Sequence, residues 1–136
     1  MGYKRKQSNK DKSHKQHVEA LTRIGASVIE ADGVGKSVAD LIVSLRPTDT
    51  VAIEVKEADG MFAIAQLRWL AEWRGYSAFS SSPEETLRIV RTPQLYALSE
   101  KDKMKILRIV MRYENKTKAK YPQISVARFE ALFKGN

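Results

Sequence analysis

The sequence predicts a mixed α/β fold in one small domain. Three segments have the apolar and β-branched character of strands: "ASVIEA" (26–31), "VADLIVSL" (38–45) and "VAIEVK" (51–56). Apolar residues at helical spacing precede them, in Val18, Leu21 and Ile24, and follow them, in 61–74. Three strands ahead of the second helix argue against a doubly wound parallel sheet, in which strands and helices alternate. The chain has 136 residues, 43% of them hydrophobic, which is enough for one buried core. It has no cysteine, which excludes disulfides and thiolate metal sites and fits a reducing cytoplasm.

The elements follow in order. Residues 1–12 read as a flexible basic arm. Ser13 caps a helix running to about Ile24, and Gly25 ends it. The strand 26–31 leads through an Asp32–Ser37 loop to the strand 38–45. "RPTDT" makes a five-residue hairpin connection to the strand 51–56. A helix is predicted from Met61 to Arg74, stopped by Gly75, then a short strand at 76–81. Ser82, Pro83, Glu84 and Glu85 are a cap, a first-turn proline and first-turn acids, opening a helix to about Val90. Pro93 marks a break. Ser99 with Asp102 opens a helix to Glu114, and a basic loop with Pro122 leads to a last helix over 125–134.

The net charge is +8, and it is uneven. Lys4, Arg5, Lys6, Lys10, Lys12 and Lys15 face Asp11 alone near the N-terminus. Lys116, Lys118 and Lys120 precede Tyr121. This balance suits a polyanion, above all nucleic acid, although a solvated tail has the same composition. No apolar run approaches the roughly 20 residues of a membrane span. No apolar segment follows the basic start, so it does not read as a secretory signal. The chain is expected in the cytoplasm, with no membrane partner.

Gly33-Val-Gly-Lys-Ser37 superficially resembles a phosphate-binding loop. Such a loop needs a glycine where Glu30 stands, and a helix where Val38–Val43 reads as a strand. Without a helix N-terminus no set of backbone N–H groups converges on a phosphate. The glycines are better read as turn residues.

The two strands that follow carry more chemistry. Side chains two apart share a strand face. In 38–45 the odd positions, Ala39, Leu41, Val43 and Leu45, are apolar. In 51–56 the odd positions, Val51, Ile53 and Val55, are apolar too. Joining these faces in one core fixes the register to parity. Asp40, Glu54 and Lys56 then share the other face, at neighbouring ends of an antiparallel hairpin. Two carboxylates that close repel unless a cation neutralises them. Mg²⁺ or Mn²⁺ would do so through oxygen ligands, leaving positions for water and a substrate phosphate. Lys56 could position the attacking water or stabilise a phosphodiester in the transition state. The competing reading is a surface ion pair of Lys56 with Glu54 or Asp40.

Asp40, followed by Glu54-Val55-Lys56 on the next strand, resembles the signature of the PD-(D/E)XK nucleases. "EVKEADGMFAIAQLRWLAEWRGYSAFSSSPEETLRIV" (54–90) is similar to their VRR-NUC branch, on Gln66, Trp69-Leu70, Gly75, and Ser82 with Glu84 and Glu85. "GKSVADLIV" (35–43) is similar to archaeal Holliday-junction resolvases, with Ser37 as the loop serine. The resemblance covers about residues 16–90. It implies a restriction-endonuclease-like core: helix, three-strand meander, helix, strand and helix around a mixed sheet. Residues 1–12 would be an arm, 13–92 the core, and 93–136 a helical extension packed on the core or at a dimer interface.

The resemblance further implies Mg²⁺- or Mn²⁺-dependent hydrolysis of DNA, with Asp40, Glu54 and the Val55 carbonyl as metal ligands and Lys56 as the catalytic lysine. Gln66 would orient Lys56 or a phosphate, and Glu19 would be the further acid from the first helix. Members of this branch include dimeric enzymes that cut branched DNA in recombination and repair, and a small stand-alone nuclease suits a phage or mobile element. Ala39 stands where the family usually has proline, and the tail from Pro93 matches nothing in it.

Lys4, Arg5, Lys6, Lys36, Ser37 and Arg68 are the candidate DNA contacts, of the kind that set affinity rather than sequence choice. His14 and His17, three apart, lack further zinc ligands nearby and read as basic surface or DNA contacts. Trp69 and Trp73 read as core or dimer interface. Two other functions compete: a non-catalytic DNA-binding module on the same fold, and an RNA-binding protein.

Overall fold

The computed structural model describes residues 9–31, 38–116 and 118–135. The elements are α1 (Asn9–Arg23), β1 (Ser27–Glu30), β2 (Leu41–Arg46), β3 (Asp49–Val55), β4 (Met61–Ala63), α2 (Ile64–Glu72), β5 (Tyr76–Ser80), α3 (Pro83–Arg91), α4 (Pro93–Tyr96), α5 (Glu100–Lys116), β6 (Gln123–Ser125) and α6 (Val126–Lys134). The fold is α/β. Its main sheet is mixed, with the order β1-β2-β3-β5. β1, β2 and β3 form an antiparallel meander, and β5 joins β3 in parallel through the α2 crossover.

The parity of the hairpin is as the alternation requires. Leu41 pairs with Ile53, Ile42 with Ala52, and Val43 with Val51. The odd positions face a core made with Leu21 of α1 and with Ile89 and Val90 of α3. Both faces of the sheet are covered, however. On the other side Ala52 meets Leu70 of α2, flanked by Trp69, Trp73 and Phe79. β3 is buried along its last five residues, as the central strand of a helix-sheet-helix sandwich must be. The solvated face assumed for a surface ion pair is therefore absent.

Local signals place most boundaries. Gly25 ends α1 with φ of +82°, a conformation that side chains bearing a Cβ rarely adopt. Ser82 Oγ accepts from Glu85 N at 3.1 Å, and Glu85 Oε1 accepts from Ser81 N at 2.9 Å, so α3 starts where a cap and an acid coincide. Ser99 and Asp102 exchange the same pair of bonds before α5.

Five expectations need correction. α1 begins at Asn9, so the basic arm is shorter than 1–12 and Ser13 lies inside the helix. β2 begins only at Leu41, because the chain before it leaves the ladder. The hairpin connection is short, with Arg46 paired to Asp49 and an irregularity between Ser44 and Arg46. The helix expected from Met61 starts at Ile64, because Met61–Ala63 pairs with Gln123–Ser125 as a two-stranded ribbon. A short helix, α4, begins at Pro93 itself, with the proline in its first turn.

That ribbon ties the tail to the core. Phe62, Ile64, Leu67 and Ala71 form one cluster with Ile106 and Val110 of α5 and Phe129 of α6. Lys103 of α5 turns inward and donates to the carbonyls of Trp73 (2.7 Å) and Gly75 (3.1 Å), closing the C-terminal end of α2 with a cation. Residues 93–136 thus contribute to the same core. Among the described residues no helix is long and apolar enough to cross a membrane.

Phe129 is 2% exposed and rests on Phe62, Phe79 and Phe133. Phe129→Ala should cost about 3–5 kcal/mol, the usual range for a buried phenylalanine. Urea unfolding should show one cooperative transition at a lower midpoint. A separate early transition would mean that the tail folds on its own.

Candidate functional site

The site is built where β2 ends and β3 continues. The ladder closes with Leu41 opposite Ile53, so the next backbone positions of β3 have β5 on one side and no strand on the other. Asp40 fills that place with its side chain. Its Oδ2 accepts from Val55 N at 2.8 Å, while its own N–H donates to Glu54 Oε1 at 3.2 Å. Its carbonyl accepts from Ala31 N at 2.9 Å, which fixes Asp40 to the end of β1. Ala39 consequently abandons the alternation and packs with Ala52 and Leu70 instead of with Leu41.

Asp40 is fully buried and Glu54 only 2% exposed. Two carboxylates in so dry a place need donors or cations around them. One comes from α1: His14 Nε2 stands 3.5 Å from Asp40 Oδ2, and His14 is 4% exposed. Glu19, expected to be the acid of this helix, is exposed. His14, His17 and Leu21 form the inward stripe at three- and four-residue spacing, and Glu19 lies off it.

Alternation carries Lys56 to the Glu54 side of β3. Its backbone N–H donates to Ser80 O at 2.7 Å, and its ammonium meets Glu130 Oε1 of α6 at 2.7 Å. That contact holds the Glu130 carboxyl below its ordinary range. Glu130 was not foreseen, and no local signal points to it: it lies 74 residues away in a tail helix. Gln66, expected to orient Lys56 or a phosphate, bonds elsewhere. Its Oε1 accepts from Ala63 N at 3.3 Å and its Nε2 donates to Val38 O at 3.2 Å. It joins the start of α2 to the segment that carries Asp40.

The histidines are buried, not surface contacts. His17 Nδ1 lies 2.7 Å from Thr86 Oγ1, whose hydroxyl donates to Ser80 Oγ at 2.6 Å, which in turn donates to Ser82 O at 2.9 Å. The direction of this chain places the His17 proton on Nδ1. Nε2 is buried without a hydrogen-bond partner among the described residues. Burial, then the neighbouring His14, push the His17 imidazole down to about 4, against the opposing pull of Glu84 and Glu85.

Of the candidate DNA contacts, Lys4, Arg5, Lys6, Lys36 and Ser37 lie outside the described residues, as do Gly33 and Gly35. Arg68 is engaged within the chain. It donates to both oxygens of Glu114 at 2.9 and 2.6 Å and to Glu72 at 3.3 Å, clamping α2 to α5. A phosphate would have to displace a bidentate carboxylate there. Trp69 and Trp73 stack at 4.7 Å over the Ala39–Leu70 cluster, in the core role considered for them.

His17 makes stability depend on pH. In the unfolded chain it takes a proton near pH 6.5, whereas in the native state it refuses one down to about 4. The stabilisation is complete above pH 6.5 and is lost progressively as pH falls toward 4, by up to roughly 3 kcal/mol. His17→Asn keeps a donor for Thr86 and removes the titration. Its urea midpoint should fall less steeply than the parent's between pH 6.5 and 5, where the carboxylates contribute little; an equal slope would refute the assignment.

No family model, curated protein or solved structure matches this chain.

Proposed function

We propose that this protein is a metal-dependent DNA endonuclease of the PD-(D/E)XK type, acting on branched DNA. One observation carries the proposal: Asp40 and Glu54 are buried side by side at the end of β3, with Lys56 two residues on. A sheet end needs one acceptor for Val55 N–H. It has no need of a second buried carboxylate beside it, which costs stability unless a cation is shared.

The donor set fits Mg²⁺ or Mn²⁺. Asp40 and Glu54 offer oxygen ligands, and the Val55 carbonyl belongs to the same strand end. Among the described residues no group of three or more His, Asp or Glu side chains gathers into a cage. A site of two carboxylates completed by water and phosphate is the usual arrangement for Mg²⁺. When bound, the cation would polarise a phosphate oxygen and offset charge on the phosphodiester during attack by water.

The chain's own groups do the rest. Lys56, released from Glu130, would place its ammonium where negative charge develops on phosphorus oxygens. Gln66 holds the backbone of Val38, and so the approach to Asp40, in position. His14 supports the Asp40 carboxylate from the α1 side. Hydrolysis would form a P–O bond from the attacking water, whose proton passes to solvent, and break the P–O bond to the departing oxygen, which takes a proton from solvent.

A non-catalytic DNA-binding module is favoured by one contact, the Lys56–Glu130 ion pair, which occupies the lysine. Cleavage assays decide between the two. Lys56→Ala and Asp40→Asn should each lower Mg²⁺-dependent cleavage of junction, flap or splayed DNA by on the order of 10²–10³. Undiminished cleavage by either variant would remove the mechanism, and no cleavage of any substrate by the parent in Mg²⁺ or Mn²⁺ would favour the binding module.

A second measurement is independent of turnover. In EDTA, Asp40→Asn should stay folded, since it keeps an acceptor for Val55 N–H. Mn²⁺ should raise the melting temperature of the parent and not of the variant. A large loss of stability in EDTA would mean that the Asp40 charge is structural.

A further inference from the structure

A second feature, away from Asp40, has the chemistry of a binding site. The last turns of α5, the 118–122 segment, and the start of β6 and α6 enclose a cleft of about 600 Å³. Arg112, Tyr113, Lys116, Tyr121, Pro122 and Arg128 line it, and among the described residues no acidic side chain does. Lys120 adds a fourth cation at the rim, its Nζ 5.6 Å from the centre of the Tyr121 ring. Tyr121 is 63% exposed.

The cations here are gathered around one concavity. Arg68 is matched by Glu114 and Glu72, Arg46 by Asp49, and Lys56 by Glu130. No salt bridge among the described residues takes up Arg112, Lys116 or Arg128. Cations of one sign around a concavity focus the field and attract an anion. Two tyrosines beside them add flat apolar faces, and the cleft falls in the size range, roughly 300–1,000 Å³, that holds small organic ligands.

We propose that this cleft binds a single strand of nucleic acid, with phosphates on Arg112, Lys116 and Arg128 and a base stacked on Tyr121. Backbone-tracking cations with aromatic platforms between them are how single strands are held without sequence choice. A duplex keeps its base faces covered and could use only the cations. An acidic peptide would use the cations and gain little from the rings. The site does not depend on the hydrolytic chemistry. Where both operate, α6 joins them, since Arg128 and Glu130 lie about 200° apart around the helix, one at the cleft and the other on Lys56.

The test uses the full chain in EDTA, so that no cleavage can occur, with short fluorescein-labelled oligothymidylate and oligouridylate read by anisotropy. Either strand should bind, and binding should weaken with salt. Arg112→Glu with Arg128→Glu should weaken it on the order of tenfold or more and reduce the salt slope by about 2. Tyr121→Ala should weaken it at least about fivefold with the slope unchanged, as loss of one stacked base predicts. Lys101→Glu, an exposed change at the other end of α5, should alter it less than about twofold. All four substituted positions are exposed, and melting curves should show the variants folded.

Unchanged binding in the cleft variants would overturn the proposal, as would an equal effect of Lys101→Glu. So would equal competition by a duplex of the same length or by polyglutamate. The nuclease reading stands or falls separately, on cleavage in Mg²⁺.

Discussion

The backbone N–H of Val55 sits where β2 has already left the ladder, and the carboxylate of Asp40 supplies its acceptor. A buried donor left unpaired there would cost about 1–3 kcal/mol. A charged acceptor makes the bond stronger than an ordinary backbone pair. This single contact sets much around it. It pins the segment 38–40 against the end of β3, turns Ala39 toward α2, and brings the Asp40 N–H to Glu54. The concentration of negative charge at the centre of the proposed site is thus also what finishes the sheet.

From that point two layers of support extend outward. On the α1 side His14 reaches Asp40, and His17 starts a run of hydrogen bonds through Thr86 and Ser80 to the cap of α3. On the α2 side Gln66 holds Val38, and α6 sends Glu130 to Lys56. Buried polar groups of this kind are tolerated because each bond orients the next. They also make the neutral state of His17 a condition of the native structure, so the polar interior is sensitive to acid.

The tail is part of this support. β6 pairs with β4 immediately before α2, and α5 and α6 complete the core that α2 alone could not cover. Lys103 seals the end of α2, and Arg68 with Glu114 holds α2 to α5. The same two tail helices face outward with a basic, tyrosine-bearing cleft. One set of helices therefore serves the core, the lysine of the proposed site and the basic cleft.

The sequence by itself determined the order of the main elements, the parity of the β2–β3 hairpin and the meeting of Asp40 with Glu54. Alternation and capping are local, and they are written in residues two to four apart. It also determined the basic net charge. Tertiary structure decided the rest. The ribbon of Met61–Ala63 with Gln123–Ser125 exists only through pairing across some sixty residues, so a helical pattern concealed it. His14 instead of Glu19 at Asp40 depended on which stripe of α1 packs inward, the partners of Lys56 and Arg68 on helices far along the chain, and the partner of Gln66 on the segment before β2. Side-chain spacing fixes which residues share a face. Only packing fixes what that face meets.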